Sequence, residues 1–546
     1  MHPNESITSK KGQALSDVYV QKKGGSLLIR ENRTRPIVYL IAFALLGSLL
    51  FAGLGSPPVY MLDEARNAQC AREMMQNRTL IVPTFNGKLR TDKPPLHYYF
   101  MMLAYKLFGV SSFSARFFSA VFGLLTLIVV SLFTSKYLGS QTALLTTMIL
   151  GSSTHFLFEF RLAVPDSYFI FFTLSSLFSG FIYLKDNKKR FLYAAAFFAG
   201  IGSLAKGPVA IVLPVIVLLI FVAYNKKWKT VFNWHVLGAF CLLLAVALPW
   251  YISVHYATNG EWTKSFFLDH NLERYSTALE GHGGFVLLPL LMCIVGLLPF
   301  STFFVEAFRQ RKVVFRNDAT WFALTTFLVI VVFFSLSATK LPNYAIPAYP
   351  FAAIIIGSYL SKALNGRITL PKYPLLIPGV IFCIIPIGVY FLLKHEAQTQ
   401  ELTRFTWLLT IPAAMFLFLL VVMKRLPVTM RLYGVASICL VFNVFVFLIV
   451  YPKAFHNNPV SNTLPIVKNA STVVAYRHSN AGYNFYLDKP IRRMDAQEID
   501  SLCKTEPGTV VITTAELLKE LNQLSLRTIA IEHDNFERRE TVLLSR

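Results

Sequence analysis

Long apolar runs separated by short polar connections dominate the chain between residues 36 and 451. Read in bilayer-length windows, they predict about thirteen membrane-spanning helices. The runs lie near 36–55, 114–135, 141–159, 166–184, 191–204, 207–223, 233–254, 284–305, 320–337, 345–361, 374–393, 404–423 and 431–451. Gly202, Gly207 and Pro208 fall where 191–223 would otherwise read as one segment, so a hairpin is expected there. Two stretches break the pattern. Asp63 to Gln76 is polar and helix-compatible, whereas the run from Pro95 up to Gly109 is apolar but too short to cross, which predicts an interfacial helix. From residue 452 onward short β-branched and aromatic runs take over: Val473–Tyr476, Phe485–Leu487, Val510–Ile512 and Thr528–Ile531 read as strands. Ala515 to Leu521 reads as a helix capped by Thr514. The pattern therefore predicts a polytopic α-helical membrane protein, residues 36–451, followed by a small soluble α/β domain, residues 452–546.

Composition supports this picture: the chain has 546 residues, 54% of them hydrophobic and only 15% charged. A net charge of +23 would suggest nucleic acid as the partner of a soluble protein. Here the bases cluster instead at Lys10 to Arg35, Lys136, Lys185 to Arg190, Lys226 to Lys229, Arg309 to Arg316, Lys362 to Lys372 and Lys424 to Arg431, on every second connection. By the positive-inside rule those connections, and the basic tail 1–35, are cytoplasmic, and membrane lipids rather than nucleic acid surround the chain. The first apolar run has the length of an anchored helix rather than of a cleaved signal. The outer side then receives 56–113, 160–165, 205–206, 255–283, 338–344, 394–403 and everything from 452. Cys241, Cys293, Cys383 and Cys439 sit in apolar runs and Cys70 and Cys503 are isolated, so no disulfide or zinc framework is expected.

The unusual residues gather on that outer side. Asp63 and Glu64 open the polar helix, where Asp63, Arg66 and Asn67 share a face. An acid held at the water–bilayer boundary can serve as a base, and a capping acid with a local ion pair fits the same pattern. In Asp92-Lys93-Pro94-Pro95 the prolines give Lys93 a defined direction, which suits a lipid phosphate as well as simple snorkelling. Asp166, Lys206 and Lys340 stand at outer ends of spans, and short outer turns disfavour a lone Lys without an anionic partner. In the loop 255–283, Asp269, His270 and Arg274 can face one side, and Asp269 with His270 could ligate a divalent metal beside Asp92. No phosphate-binding Gly-rich loop or nucleotide fingerprint occurs, so an outward-facing site needs a donor carried by the membrane.

Leu-Asp-Glu-Ala-Arg at 62–66, Asp-Lys-Pro-Pro-Leu-His-Tyr at 92–98, Leu-Ala-Lys-Gly-Pro at 204–208 and Lys-Leu-Pro-Asn-Tyr-Ala-Ile-Pro at 340–347 together resemble the GT-C superfamily of polyprenyl-phosphate-dependent glycosyltransferases. The aminoarabinose (lipid A) transferase branch, related to protein mannosyltransferases, matches best, and the resemblance covers the membrane region to about residue 360. It implies a GT-C fold in the bacterial inner membrane, N-terminus cytoplasmic and C-terminal domain periplasmic, with loops 56–113 and 255–283 forming the active site. The implied enzyme is a monomer that moves a sugar from a polyprenyl (undecaprenyl) phosphate to lipid A or another envelope glycolipid or glycan. Protein O-glycosylation is the alternative within the fold. Carried over by position, Asp63 is the acid essential for transfer; Arg66, Lys93 and Arg274 contact lipid phosphate; Lys206, Lys340 and Tyr344 belong to later site motifs; Glu64, Asp166 and His270 support them. Two departures concern a metal. Asp92 stands where relatives have Glu, and the relatives' His aligns with Asp269 rather than His270, so a divalent metal at Asp92 and Asp269 stays open and no other cofactor is implied. A single displacement predicts inversion at the anomeric carbon. A transporter or flippase of the same lipids is the competing class, but neither internal repeats nor charged midplane helices are found.

Overall fold

The computed structural model describes residues 36–273, 285–371, 373–395, 400–534 and 540–546, together with an antiparallel strand pair, Gln21–Lys23 with Ser26–Leu28. Every apolar run of the sequence meets a helix or a pair of helices, but not every one is a full span. Among the described residues eight helices are long and apolar enough to cross a membrane by themselves, from Ser112–Leu138 to Val428–His456, and nine if one bent pair counts as a span. Pro36–Phe51 and Val209–Tyr224 have 16 residues each. At 1.5 Å per residue they rise about 24 Å, short of a hydrocarbon core of roughly 30 Å.

Two departures from the expected spans, and one expected break, follow from local chemistry. The run 141–159 divides at Ser153, whose hydroxyl accepts from the Phe156 amide at 3.0 Å and starts a new short helix, Thr154–Glu159. The run 284–305 folds as Leu288–Gly296 and Phe300–Arg309, bent by 110°. Pro299 has no N–H to continue the ladder, and Gly296 lies so close to the Tyr349 hydroxyl that a Cβ there would overlap it. Lys189–Lys206 and Val209–Tyr224 are separated at Gly207, whose φ of +81° only glycine adopts readily.

Lipid tails are as apolar as leucine, so close packing rather than burial from water holds such a bundle together. Helix Ser112–Leu138 packs on Ser140–Ser152 and Asp166–Asp186, and Phe133 stacks on Phe178 with ring centroids 3.9 Å apart. Polar clamps then lock the segment that carries the site. Arg161 donates to the carbonyls of Leu49, Leu50 and Ala52, satisfying the C-terminal end of helix Pro36–Phe51. Arg116 forms a bidentate pair with Glu64, Nε to Oε1 at 2.6 Å and Nη2 to Oε2 at 2.7 Å, and also donates to the carbonyls of Leu54, Pro57 and Pro58. Glu64 in turn accepts from the Ala163 amide at 2.8 Å. Helix Leu62–Gln76 is thereby fixed to two loops and one long helix at once.

The C-terminal segment carries a five-stranded sheet in the order Arg492–Met494, Val473–Tyr476, Val510–Thr514, Thr541–Ser545, Arg527–Glu532. The first three strands are parallel and the last two join antiparallel, with Val474 opposite Arg492 and Ala475 opposite Arg493. Phe485–Leu487, expected as a strand, ends a helix, Ala481–Leu487. Asn480 caps that helix by accepting from the Gly482 amide at 2.8 Å. Phe485 buries against helix Leu62–Gln76 while Tyr483 buries in the domain's own core, and burial on two sides outweighs aromatic strand propensity. The strands Arg492–Met494 and Thr541–Ser545 give little signal in the sequence because both are short and carry polar flanks. Thr514 does sit at the start of helix Ala515–Leu518 but makes no side-chain capping bond there.

Candidate functional site

A cavity of about 590 Å³ opens between helix Leu62–Gln76, the hairpin Thr84–Leu89, the segment 90–93 and residues 490–493 of the C-terminal domain. Asp63 and Arg66 both line it, as their one-turn spacing predicts. Asp63 is exposed, and among the described residues its carboxylate takes part in no hydrogen bond or ion pair. Asn67, expected on the same face, instead lies beneath: its Nδ2 donates to the Ala163 carbonyl at 3.1 Å and its Oδ1 accepts from Arg90 at 2.9 Å.

Arg90 is the charge that local sequence reading overlooked. Its side chain is only 4% exposed, pairs with Asp92 at 2.8 Å and donates to the Tyr98 hydroxyl at 3.0 Å. Trp262 Nε1 donates to the Arg90 carbonyl at 2.9 Å, which ties this strand to the 255–283 loop. Burial pushes the Asp92 carboxyl up, but Arg90 and Lys93 outweigh it and hold the group below its usual range, so Asp92 stays ionised. Burial drives His97 of the Pro-Pro-Leu-His-Tyr motif well down and keeps it neutral.

A second cavity of about 390 Å³ shares Asp92, Lys93 and His270 with the first. It continues between apolar side chains, among them Val209, Val212, Phe266, Phe333 and Phe334. Lys206 and Tyr344 line its far wall. Lys206 is ion-paired with Asp166 and lies 5.0 Å from the centre of the Tyr344 ring. Asn343 Nδ2 donates to Asp166 at 3.3 Å, and the buried Glu159 lies beside this pair. The anionic partner that a lone Lys at a span end requires is thus Asp166.

The remaining expected site residues sit elsewhere. Glu64 lines neither cavity; it is consumed in the buried Arg116 clamp, because a carboxylate that deep must be paired. Lys340 donates to the Ser337 carbonyl at 2.7 Å, closing the turn that ends helix Asp318–Leu336, and also lines neither cavity. Arg274 lies outside the described residues. His270 reaches the site, Nε2 3.3 Å from the Thr91 hydroxyl, whereas its neighbour Asp269 is exposed and lines neither cavity. Among the described residues no group of three or more His, Cys, Asp or Glu side chains converges. Asp92 lines both cavities and is engaged by Arg90, whereas Asp269 lines neither. Lys88, Arg492 and Arg493, none of them anticipated, complete the cation-rich wall of the first cavity. Nothing local marks two successive arginines of the C-terminal segment as lining a cavity with Asp63.

The arrangement offers one accessible carboxylate, an array of cations and an apolar annex, meeting at Lys93. Residues 92–252 match the family model described as dolichyl-phosphate-mannose-protein mannosyltransferase. The undecaprenyl phosphate-alpha-4-amino-4-deoxy-L-arabinose arabinosyl transferase of Shewanella sediminis is 26% identical over 373 residues, 66% of this chain and 66% of its own length. The protein of the same name from Pseudomonas aeruginosa is 27% identical over 394 residues, covering 70% of this chain and 68% of that one. The crystal structure of ArnT from Cupriavidus metallidurans bound to undecaprenyl phosphate superposes with a TM-score of 0.79, over 93% of this chain and 98% of that one, at 19% identity. That structural likeness, over nearly the whole chain, establishes the fold, while the sequence matches bear on the chemistry. The chain is an integral membrane glycosyltransferase, similar to aminoarabinose transferases and to protein mannosyltransferases.

Proposed function

We propose that the chain transfers a sugar from a polyprenyl phosphate, of the undecaprenyl type, to an envelope glycolipid or glycan such as lipid A. The reaction takes place at the outer, periplasmic side of the bacterial inner membrane. The observation that carries this reading is the position of Lys93 in the wall of both cavities. A donor phosphate at Lys93 places its polyprenyl chain in the apolar cavity and its sugar in the polar one, within reach of Asp63. Relatives named as arabinosyl transferases support the donor class, and the charge alternation of the connections supports the sidedness.

The chemistry is a single displacement. Asp63 takes the proton from an acceptor hydroxyl, or orients an acceptor that is already anionic. The acceptor oxygen bonds to the anomeric carbon as the bond from that carbon to the phosphate oxygen breaks, which inverts the configuration. The departing polyprenyl phosphate gains negative charge, which Lys93 and Arg66 neutralise over the standing field of Arg90.

Incubating the purified chain with labelled undecaprenyl phosphate sugar and native lipid extract tests the proposal. Free polyprenyl phosphate together with a labelled glycolipid is the expected result. Translocation of intact donor lipid without cleavage would make the chain a transporter instead. Label appearing on protein would favour the second reading, protein O-glycosylation, for which the mannosyltransferase family match over 92–252 is the supporting observation. Lys93→Ala should raise the donor KM by roughly tenfold to a hundredfold, the value of one charge-assisted phosphate contact, with acceptor KM unmoved. Unchanged donor kinetics would remove Lys93 from the phosphate site.

A further inference from the structure

The transfer chemistry makes no use of Glu159, the last residue of helix Thr154–Glu159. Its side chain is buried beside Lys206 and lines neither cavity, and its Oε1 has no hydrogen-bond partner among the described residues. Ser153, which starts the short helix, and Ser167, whose hydroxyl donates to the Glu159 carbonyl at 3.2 Å, fix the backbone there.

Glu64 supplies the contrast. Glu64 and Glu159 are 2% and 3% exposed, but Glu64 is met by the Arg116 guanidinium on both of its oxygens. The cation beside Glu159 is Lys206, and that ammonium is already held by Asp166. Asn343 donates to Asp166 at 3.3 Å and is also hydrogen-bonded to Glu159, so one amide bridges the two acids. The other groups facing the cluster bring no fixed positive charge. Tyr344 and Phe169 present ring faces to Lys206, and Tyr349 lies toward Glu159 with its hydroxyl 2.8 Å from His155 Nδ1.

Two carboxylates against one ammonium leave an excess negative charge if both are ionised. An unpaired charge at that depth is costlier than a held proton, so one acid of such a cluster stays neutral. Asp166 has the ammonium, which leaves the proton to Glu159. The balance reaches the donor through Lys206, which lines the apolar cavity together with Lys93. A lipid phosphodiester carries one negative charge, and an over-compensated Lys206 would repel it.

We infer that Glu159 is a positioning residue of the transfer reaction: it carries a proton in the working enzyme, which keeps the Asp166–Lys206 pair neutral toward the donor phosphate, and its ionisation weakens donor binding. The inference rests on the proposed reading of the apolar cavity as the donor-lipid site and adds to it a control by proton uptake.

The test uses the full chain in lipid nanodiscs. Binding of undecaprenyl phosphate sugar is measured without acceptor, since its diester keeps one fixed charge as pH changes. In wild type the donor Kd should rise roughly tenfold between about pH 7 and pH 9.5, the effect of one added charge near the phosphate. E159Q, which is neutral at every pH and keeps a partner for Asn343, should bind as wild type does at pH 7 and lack most of the alkaline rise. A purely structural role would instead weaken E159Q equally at all pH values, which would overturn the inference, as would a flat wild-type profile or an unchanged rise in E159Q. Infrared difference spectra give a second readout that needs no donor. The band of a protonated carboxyl should be present in wild type at pH 7 and absent from E159Q. D166N should lose it too, because Glu159 then becomes the counter-ion of Lys206 and ionises. A band missing from wild type, or surviving in D166N, would overturn the inference even where E159Q folds poorly. A wild type that binds no donor at any pH fails the donor-site reading itself, whatever the infrared band shows of Glu159.

Discussion

Asp63→Asn should lower glycosyl transfer by roughly 10²–10⁴-fold, the usual contribution of a positioned proton acceptor, with folding and donor binding retained. The reason lies in how the carboxylate is held. Asp63 is exposed at the cavity wall and makes no hydrogen bond or ion pair among the described residues, so replacing one oxygen by an amide removes basicity and almost nothing else. Its neighbour Glu64 is the instructive contrast, since the same change there would break a buried pair. Single-turnover release of labelled sugar, measured beside thermal unfolding and undecaprenyl phosphate binding, checks the expectation. Transfer within a few-fold of wild type would take Asp63 out of the reaction, and lost donor binding would reassign it to the donor site.

Arg116→Met should destabilise the protein by about 3–5 kcal/mol, the range for breaking a buried ion pair from one side. Arg116 and Glu64 are 1% and 2% exposed. Without the guanidinium, Glu64 is left as an unpaired charge, and the carbonyls of Leu54, Pro57 and Pro58 lose their donor. The segment before the site helix would lose its anchor as well, so the cavity and transfer should fail with the fold. The double variant Glu64→Leu/Arg116→Met should recover much of the stability, because no buried charge remains. Thermal unfolding of the three proteins in detergent decides it. A single variant that unfolds with wild type would show the clamp to be dispensable.

These two neighbouring acids show how far local sequence carried. Asp63 and Glu64 open the same helix, and the pattern alone gave no ground for sending one into a cavity and the other into a clamp. The deciding partner, Arg116, is distant in the chain and sits among apolar residues that read simply as a span. Lys206 was legible as a cation that needs an anion, and Asp166 is that anion. Lys340, with the same local signature, closes its own turn on the Ser337 carbonyl, a contact set by backbone geometry rather than by residue type. For the metal pair, the aligned positions pointed to Asp269, yet helix geometry brings His270 to the cavity and leaves Asp269 in solvent.

By itself the sequence determined the helical membrane character, the position of most helices, the grouping of unusual charges in the connections between them and the likeness to GT-C glycosyltransferases. Hydropathy, charge alternation and short motifs are all local, and local signals survive without knowledge of contacts. Tertiary structure alone decided that Arg116 clamps Glu64 and that the buried Arg90 underlies the site. It also decided that two arginines from the C-terminal domain share a cavity with Asp63. Each of those outcomes depends on a partner far away in the chain, and the energy of a buried charge or a shared cavity exists only once that partner has arrived.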